Sequence, residues 1–337
     1  MNLEERGEAV IRYLGRKLFV YLLTFFFAVT IDWLIPRLMP GNPVDIMVSR
    51  MALRADAAEV VRSYYIQAFQ LDLPLWRQYL NFWIALFRGD LGVSIWLFPQ
   101  PVISVIARAV PYDLLLLLPA ILLSWVLGNQ VGAMAARVRW LDNTVLPLAY
   151  ILTATPYMWL ALLLAWSLGQ VAGLFPISGA YGYNIRPHLS WVFIRDLLWH
   201  WTLPFLSLFL VMFGGWAIGM RNMIIYELEA DYSRYLSALG APQRLIRRYA
   251  FRNAVLPQIT GLALQLGAIV AGAVATEIAF AYPGTGYLIL QAVLNQDYFL
   301  LQGCFLFIIT GVLVANLIID IVYILVDPRT RLGMVGE

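Results

Sequence analysis

Leu114-Leu115-Leu116-Leu117-Leu118 and, near the far end of the chain, Ile308-Ile309-Thr310-Gly311-Val312-Leu313-Val314-Ala315-Asn316-Leu317-Ile318-Ile319 carry no charge and no alternation of apolar with polar positions. A barrel strand that crosses a membrane reads as about 10 residues of such alternation. A helix that crosses the hydrocarbon core needs about 20 mostly apolar residues in sequence, and both runs lie inside stretches of that length. The whole chain agrees: of 337 residues 61% are hydrophobic and 13% charged, and the mean hydropathy is +0.74. An ordinary soluble domain carries about 25% charged residues. The chain therefore reads as an all-α, polytopic membrane protein.

Six spans follow, at 18–36, 112–135, 143–168, 201–220, 257–281 and 301–325. An even number places both termini on one side, and the short basic connections identify it as the cytoplasm. The tail 1–17, the second-to-third and fourth-to-fifth connections and the tail 326–337 hold fourteen Lys and Arg, against two, Arg186 and Arg195, in the short outer loops. The long segment 37–110 holds the other seven but exceeds the length for which the rule applies. This asymmetry accounts for most of the net charge of +3 without nucleic acid. A secretory signal is the competing reading of residues 1–36, but no small-residue cleavage pattern follows Leu34. Both termini are therefore expected on the cytoplasmic side of the membrane.

Segment 37–110 reads as an extracytoplasmic cap, with helices near 57–70 and 75–87 separated by Pro74, and 169–200 as an outer loop with an interfacial helix. The rest, 111–325, forms a five-helix core. Its connection 222–256 is polar yet helical. Glu227, Glu229 and Asp231 precede Tyr232, Tyr235, Leu236 and Leu239, whose i, i+3, i+4, i+7 spacing marks one apolar stripe. Gly240 ends this helix. Ala241-Pro242 restarts the chain into a second helix bearing Arg244, Arg247, Arg248 and Arg252. The hairpin suits either a protein groove or an anionic lipid surface, which attracts basic side chains; the acidic first turn and the fixed corner favour the protein.

Several chemistries lack their residues. A Walker A loop requires a glycine-lysine step, and the sole lysine, Lys17, follows Arg16. There is no H-E-x-x-H, no G-x-S-x-G and only one cysteine, Cys304.

The fragments Pro36-Arg37-Leu38-Met39-Pro40-Gly41-Asn42-Pro43, Leu71-Asp72-Leu73-Pro74-Leu75, Arg88-Gly89-Asp90-Leu91-Gly92-Val93-Ser94 and Leu203-Pro204 occur in that order. Asp231-Tyr232, Ala238-Leu239-Gly240, Arg252-Asn253-Ala254-Val255-Leu256-Pro257, Tyr282-Pro283-Gly284-Thr285-Gly286, Gln296-Asp297-Tyr298 and Asp327-Pro328-Arg329 follow. Together they resemble the permease subunits of dipeptide and oligopeptide ABC importers, specifically the permease with the long first outer loop. The resemblance implies a type I importer permease fold. It also implies a second permease, two ATPases that bind ATP and Mg, and an extracytoplasmic solute-binding protein; this chain would bind no cofactor and catalyse nothing. The hairpin resembles the family's coupling helix, with Gly240 matching the glycine of E-A-A-x-x-x-G and Arg234, Tyr235 and Leu236 departing from E-A-A. The coupling residues would be Asp231, Tyr232, Tyr235, Leu236, Leu239, Gly240, Arg252 and Asn253.

Intramembrane acids are costly and so are candidates for function. Glu277 is the candidate for the translocation pathway, whereas Asp32 and Asp320 stand near span ends. The spacings Gly128/Gly132, Gly215/Gly219 and Ala268/Gly272 suit close helix packing. The twelve tryptophans do not separate peptide from oligosaccharide as the cargo. An ion-coupled secondary transporter is the alternative class, but its proton path would need carboxylates linked through the midplane.

Overall fold

Hydrocarbon offers no partner to a backbone N–H or C=O, so a spanning segment must satisfy them within itself. The long apolar runs accordingly form long helices in the computed structural model, which describes residues 3–51, 55–267 and 274–326. The helices are α1 (Leu3–Leu34), α2 (Pro43–Arg50), α3 (Ala55–Ala68), α4 (Leu75–Phe87), α5 (Val102–Ala135), α6 (Arg139–Ala154) and α7 (Tyr157–Leu164). They continue with α8 (Trp191–Glu229), α9 (Asp231–Ala238), α10 (Gln243–Gly267), α11 (Val274–Ala279), α12 (Thr285–Leu294) and α13 (Tyr298–Val326). Among the described residues there is no β-strand.

Four stretches are long and apolar enough to cross a membrane: Gly15–Leu38, Val102–Ala135, Trp191–Glu229 and Tyr298–Ile318. A fifth crossing exists if the bent pair Arg139–Ala154 and Tyr157–Val171 counts as one. The expectation of an unbroken third span at 143–168 is corrected here, because the pair bends by 106°. Pro156 causes the break. It has no N–H to donate, and it excludes the helical conformation from the residue before it; Thr155 is extended at φ −80°, ψ 126°. The expected fifth span, 257–281, falls partly outside the described residues. Two other boundaries move: the second helix starts at Val102 rather than 112, and the fourth absorbs 191–200, the expected interfacial helix, together with the start of the polar connection.

The chain forms two compact units, Met1–Pro111 with Thr285–Glu337, and Tyr112–Gly284. In the first, distant parts of the sequence are tied by buried polar groups. Asp297, fully buried, precedes α13 and accepts from Leu300 N at 3.0 Å, which caps that helix. Its other oxygen accepts from Ser94 Oγ at 2.5 Å and Trp96 N at 3.0 Å. One carboxylate thus anchors the Arg88–Ser94 turn to the last helix. At the other end of α13, Asp320 accepts from Lys17 Nζ at 2.9 Å and Tyr21 Oη at 2.6 Å, joining it to α1. Asp320 is held by a structural ion pair. The expected cap contains α3 and α4 close to their predicted places, and also α2, which begins with Asn42 accepting from Val44 N and with Pro43 in the first turn.

In the second unit α8 is the central element. Arg221 reaches Asp142 of α6 with Nε and Nη2, both at 2.9 Å, a bidentate pair of fixed geometry. Trp201 Nε1 donates to Leu115 O at 3.0 Å. Gly128 and Gly132 of α5 lie against Trp216 and Ala217 of α8 so closely that a Cβ at Gly132 would overlap the Ala217 carbonyl. The expected Gly215/Gly219 pair does not act in this way. Gly215 has open space beside it, and the close approach is made by Gly214, against Ala149 and Thr153 of α6. The third pair, Ala268/Gly272, lies outside the described residues.

Gly132→Ala should therefore lower the melting temperature of the purified chain, by an amount equivalent to about 1–3 kcal/mol of overpacking. Gly215→Ala should not lower it, since helix propensity favours Ala.

Candidate coupling interface

The polar connection folds because α8 is stopped at a defined point. Ala230 is extended at φ −63°, ψ 152°, which separates Glu229 from the short helix α9. Asp231 opens α9, where a carboxylate complements the positive end of the helix. At the other end Gly240 takes φ +74°, a left-handed conformation that glycine adopts without steric cost. Gly240 N donates to Ser237 O and Ala241 N to Leu236 O, both at 3.0 Å, closing the last turn. Pro242 then accepts from Leu245 N at 2.8 Å, and α10 begins.

Glu227, at the end of α8, latches the hairpin. Its Oε2 accepts from Tyr232 Oη at 2.8 Å and from Asn253 Nδ2 of α10 at 3.2 Å. Its backbone carbonyl accepts from the buried Ser233 Oγ at 2.7 Å. Three helices thus meet on one residue. Partial burial, then the hydrogen bond to Glu227, raises the pKa of the Tyr232 hydroxyl above the ordinary tyrosine value, so it remains a donor at neutral pH. Behind the latch, Met220 and Ile224 of α8 pack with Ala133 of α5 and Ala254 of α10.

The expected apolar stripe divides. Tyr232 turns inward to Glu227 and Leu236 is half-buried, whereas Tyr235 and Leu239 are each 66% exposed. Arg244, Arg247, Arg248 and Arg252 are exposed on α10. Asp231 and Arg252 face outward and make no ion pair among the described residues. Asn253 joins the latch. Sequence reading placed Glu227 among the acidic residues that precede the stripe but not among the coupling residues; its five- and twenty-six-residue separations from Tyr232 and Asn253 follow no helical period.

Glu277 is completely buried. A Cβ at Gly284 would overlap both Glu277 Oε2 and Asp113 Oδ1, so the Tyr282-Pro283-Gly284 turn closes over two neighbouring carboxylates. Asp113, also buried, was not singled out by sequence, since it stands at the edge of an apolar run.

The profile of the family described as "binding-protein-dependent transport system inner membrane component" matches residues 128–332, which include the whole hairpin. The chain belongs to this family. It is 30% identical to the di/tripeptide transport system permease protein of Pseudomonas aeruginosa, over 96% of this chain and 99% of that protein. It is 32% identical to a probable D,D-dipeptide transport system permease protein of Escherichia coli, over 90% of this chain and 92% of that one. An oligopeptide transport system permease protein of Bacillus subtilis is 29% identical, over 89% and 92%. The fold is thus that of a type I ABC importer permease, in a multi-pass membrane protein.

Glu227→Ala leaves two side-chain donors without their acceptor, a loss of about 1–3 kcal/mol. Amide hydrogen exchange across 231–242 should accelerate accordingly, while exchange in the middle of α8 stays unchanged.

Proposed function

We propose that this chain is one permease subunit of an ATP-driven importer of short peptides, and that the hairpin 222–256 docks it to an ATPase. The observation that carries the reading is the exposed Tyr235/Leu239 pair on a short helix held rigid by Glu227. Large apolar side chains on a latched hairpin whose second helix carries exposed arginines fit a protein groove. Full-length similarity to peptide permeases supports peptide over oligosaccharide as the cargo.

In this reading both termini and the hairpin are cytoplasmic, and 37–110 faces outward toward a solute-binding protein. A second permease completes the pathway, and two ATPases carry ATP and Mg. When ATP draws the ATPases together, a hairpin that bends would dissipate the stroke. Glu227, Tyr232 and Asn253 keep α9 fixed to α8 and α10, so displacement at Tyr235 and Leu239 is transmitted to the spans. Asp231 and Arg252, on the exposed side, supply polar contacts at the rim of the groove. This chain performs no hydrolysis itself.

Co-purification from the native membrane with mass spectrometry tests the assembly: a second permease and two ATPase subunits are expected, and recovery of this chain alone, with uptake driven by a proton gradient, overturns it. Gly240→Pro tests the hairpin. Proline fixes φ near −65° and cannot occupy the observed +74°, so ATP hydrolysis should continue while ATP-dependent uptake falls at least about tenfold, with membrane insertion intact. Unchanged uptake would remove the coupling role from this corner.

A further inference from the structure

Helix α4 lies along α1, and its contacts measure how far into the membrane it reaches. Tyr79 Oη hydrogen-bonds Thr30 Oγ1 at 2.8 Å, and its ring meets Trp33 edge-on with centroids 5.0 Å apart. One turn later Trp83 stacks on Phe26 at 5.6 Å and meets Phe25 at 6.5 Å. As α4 advances, its partners move back toward the start of α1, so the two helices run antiparallel. Phe26 stands midway between Lys17 and Ile35, inside the apolar stretch Gly15–Leu38. At a rise of about 1.5 Å per residue, it lies about 12 Å along the axis from Leu34, where α1 ends. Half the hydrocarbon thickness is about 15 Å. Trp83 is therefore at the depth of the acyl chains.

Three faces of α4 have different surroundings. Tyr79 and Trp83 meet α1. Gln78, Asn81, Phe82 and Ala85 line a cavity of about 460 Å³ in the first unit. Trp76, Leu80, Ile84 and Phe87, spaced by four, four and three residues, are exposed and lie outside that lining. Over the same length α1 exposes Leu22, Phe27 and Ile31. The turn Arg88-Gly89-Asp90 that ends α4 is polar, and charge at this depth is costly. Non-helical backbone is tolerated there only where it borders protein or water; Asp90 borders the cavity, as do Gln78 and Asn81.

We propose that α4 is a re-entrant helix, entering the hydrocarbon from the surface at which α1 ends. Trp76, Leu80, Ile84 and Phe87 lie against phospholipid acyl chains, and Gln78, Asn81 and Asp90 against water in the cavity. This helix is then the wall between lipid and a water-filled recess. It is the exception within 37–110, whose other helices keep their place outside. In water the exposed row would be an unpartnered apolar patch; in lipid it needs no partner. The placement requires only that α1 span the membrane, and it holds whatever the cargo.

The test attaches the fluorophore bimane to Leu80→Cys, Ile84→Cys, Phe87→Cys and Asn81→Cys, one at a time. The full chain is used in lipid nanodiscs with the subunits that accompany it, and Cys304 is buried and shielded from the label. The quenchers are phosphatidylcholine with a nitroxide either near the headgroup or near the chain end, and iodide in the water. Lipid nitroxides should quench at 80, 84 and 87 while iodide does not, and the ratio of deep to shallow quenching should rise in that order. At 81 iodide should quench and the lipid nitroxides should not. Iodide quenching at 84 and 87 would overturn the placement and return α4 to an aqueous cap. Equal depth at 80, 84 and 87 would overturn the descent, since a helix lying in the interface plane gives that result. Quenching by neither agent would show the row covered by another subunit and overturn lipid as its occupant. Lipid quenching at 81 would overturn the water-filled recess. Residues 80, 84 and 87 are exposed, so cysteine there leaves the packing intact, and two positions carry the test where a third variant fails to insert.

Discussion

The hairpin is held by one carboxylate. A chain that leaves a membrane, turns within a dozen residues and re-enters it must keep its shape without a large core if, as proposed, its outer face is to meet a partner. Glu227 satisfies this constraint from the inner face. It joins α8, α9 and α10 through Tyr232, Ser233 and Asn253, and the glycine at 240 supplies the corner. With those contacts directed inward, Tyr235 and Leu239 remain outward. Apolar side chains exposed on a stiff element are costly in water unless a second surface covers them, and that is the physical basis for reading the hairpin as a docking device.

The same economy of means recurs in the first unit. Asp297 caps α13 and holds the turn near Ser94 from across the sequence, and Asp320 ties the C-terminal half of α13 to α1. These acids accept from several donors each, which offsets the penalty of burying charge. Asp320 thereby contributes to helix packing, and Glu277 is enclosed beside Asp113 and Gly284.

Much of this was legible in the sequence for a simple reason: in a membrane, apolar length alone specifies helices. The runs around Leu114 and Ile308 and the turn at Gly240 and Pro242 gave the helices and the hairpin nearly where they occur. What failed was local. The bend at Thr155-Pro156 was hidden because the apolar composition continues across it, and the packing glycine proved to be Gly214 and not Gly215, a difference of one residue that rotates the contact by a large angle around the helix. The latch was hidden for a third reason. Tyr232 looked like part of an apolar stripe, and only tertiary structure shows that its hydroxyl turns to Glu227 while Ser233, a polar residue, occupies the buried face. Asp297 appeared in the sequence only as part of a family fragment; its bonds to Ser94 and Trp96 cross some two hundred residues, beyond any pattern of spacing.

The most direct test of the central claim is photo-cross-linking from a probe attached at Leu239→Cys, in the intact membrane and with Cys304 buried and so shielded from labelling. The account predicts a cross-link to an ATP-hydrolysing subunit whose yield changes when ATP is added. A probe at this position that reaches only lipid, with or without ATP, would contradict it.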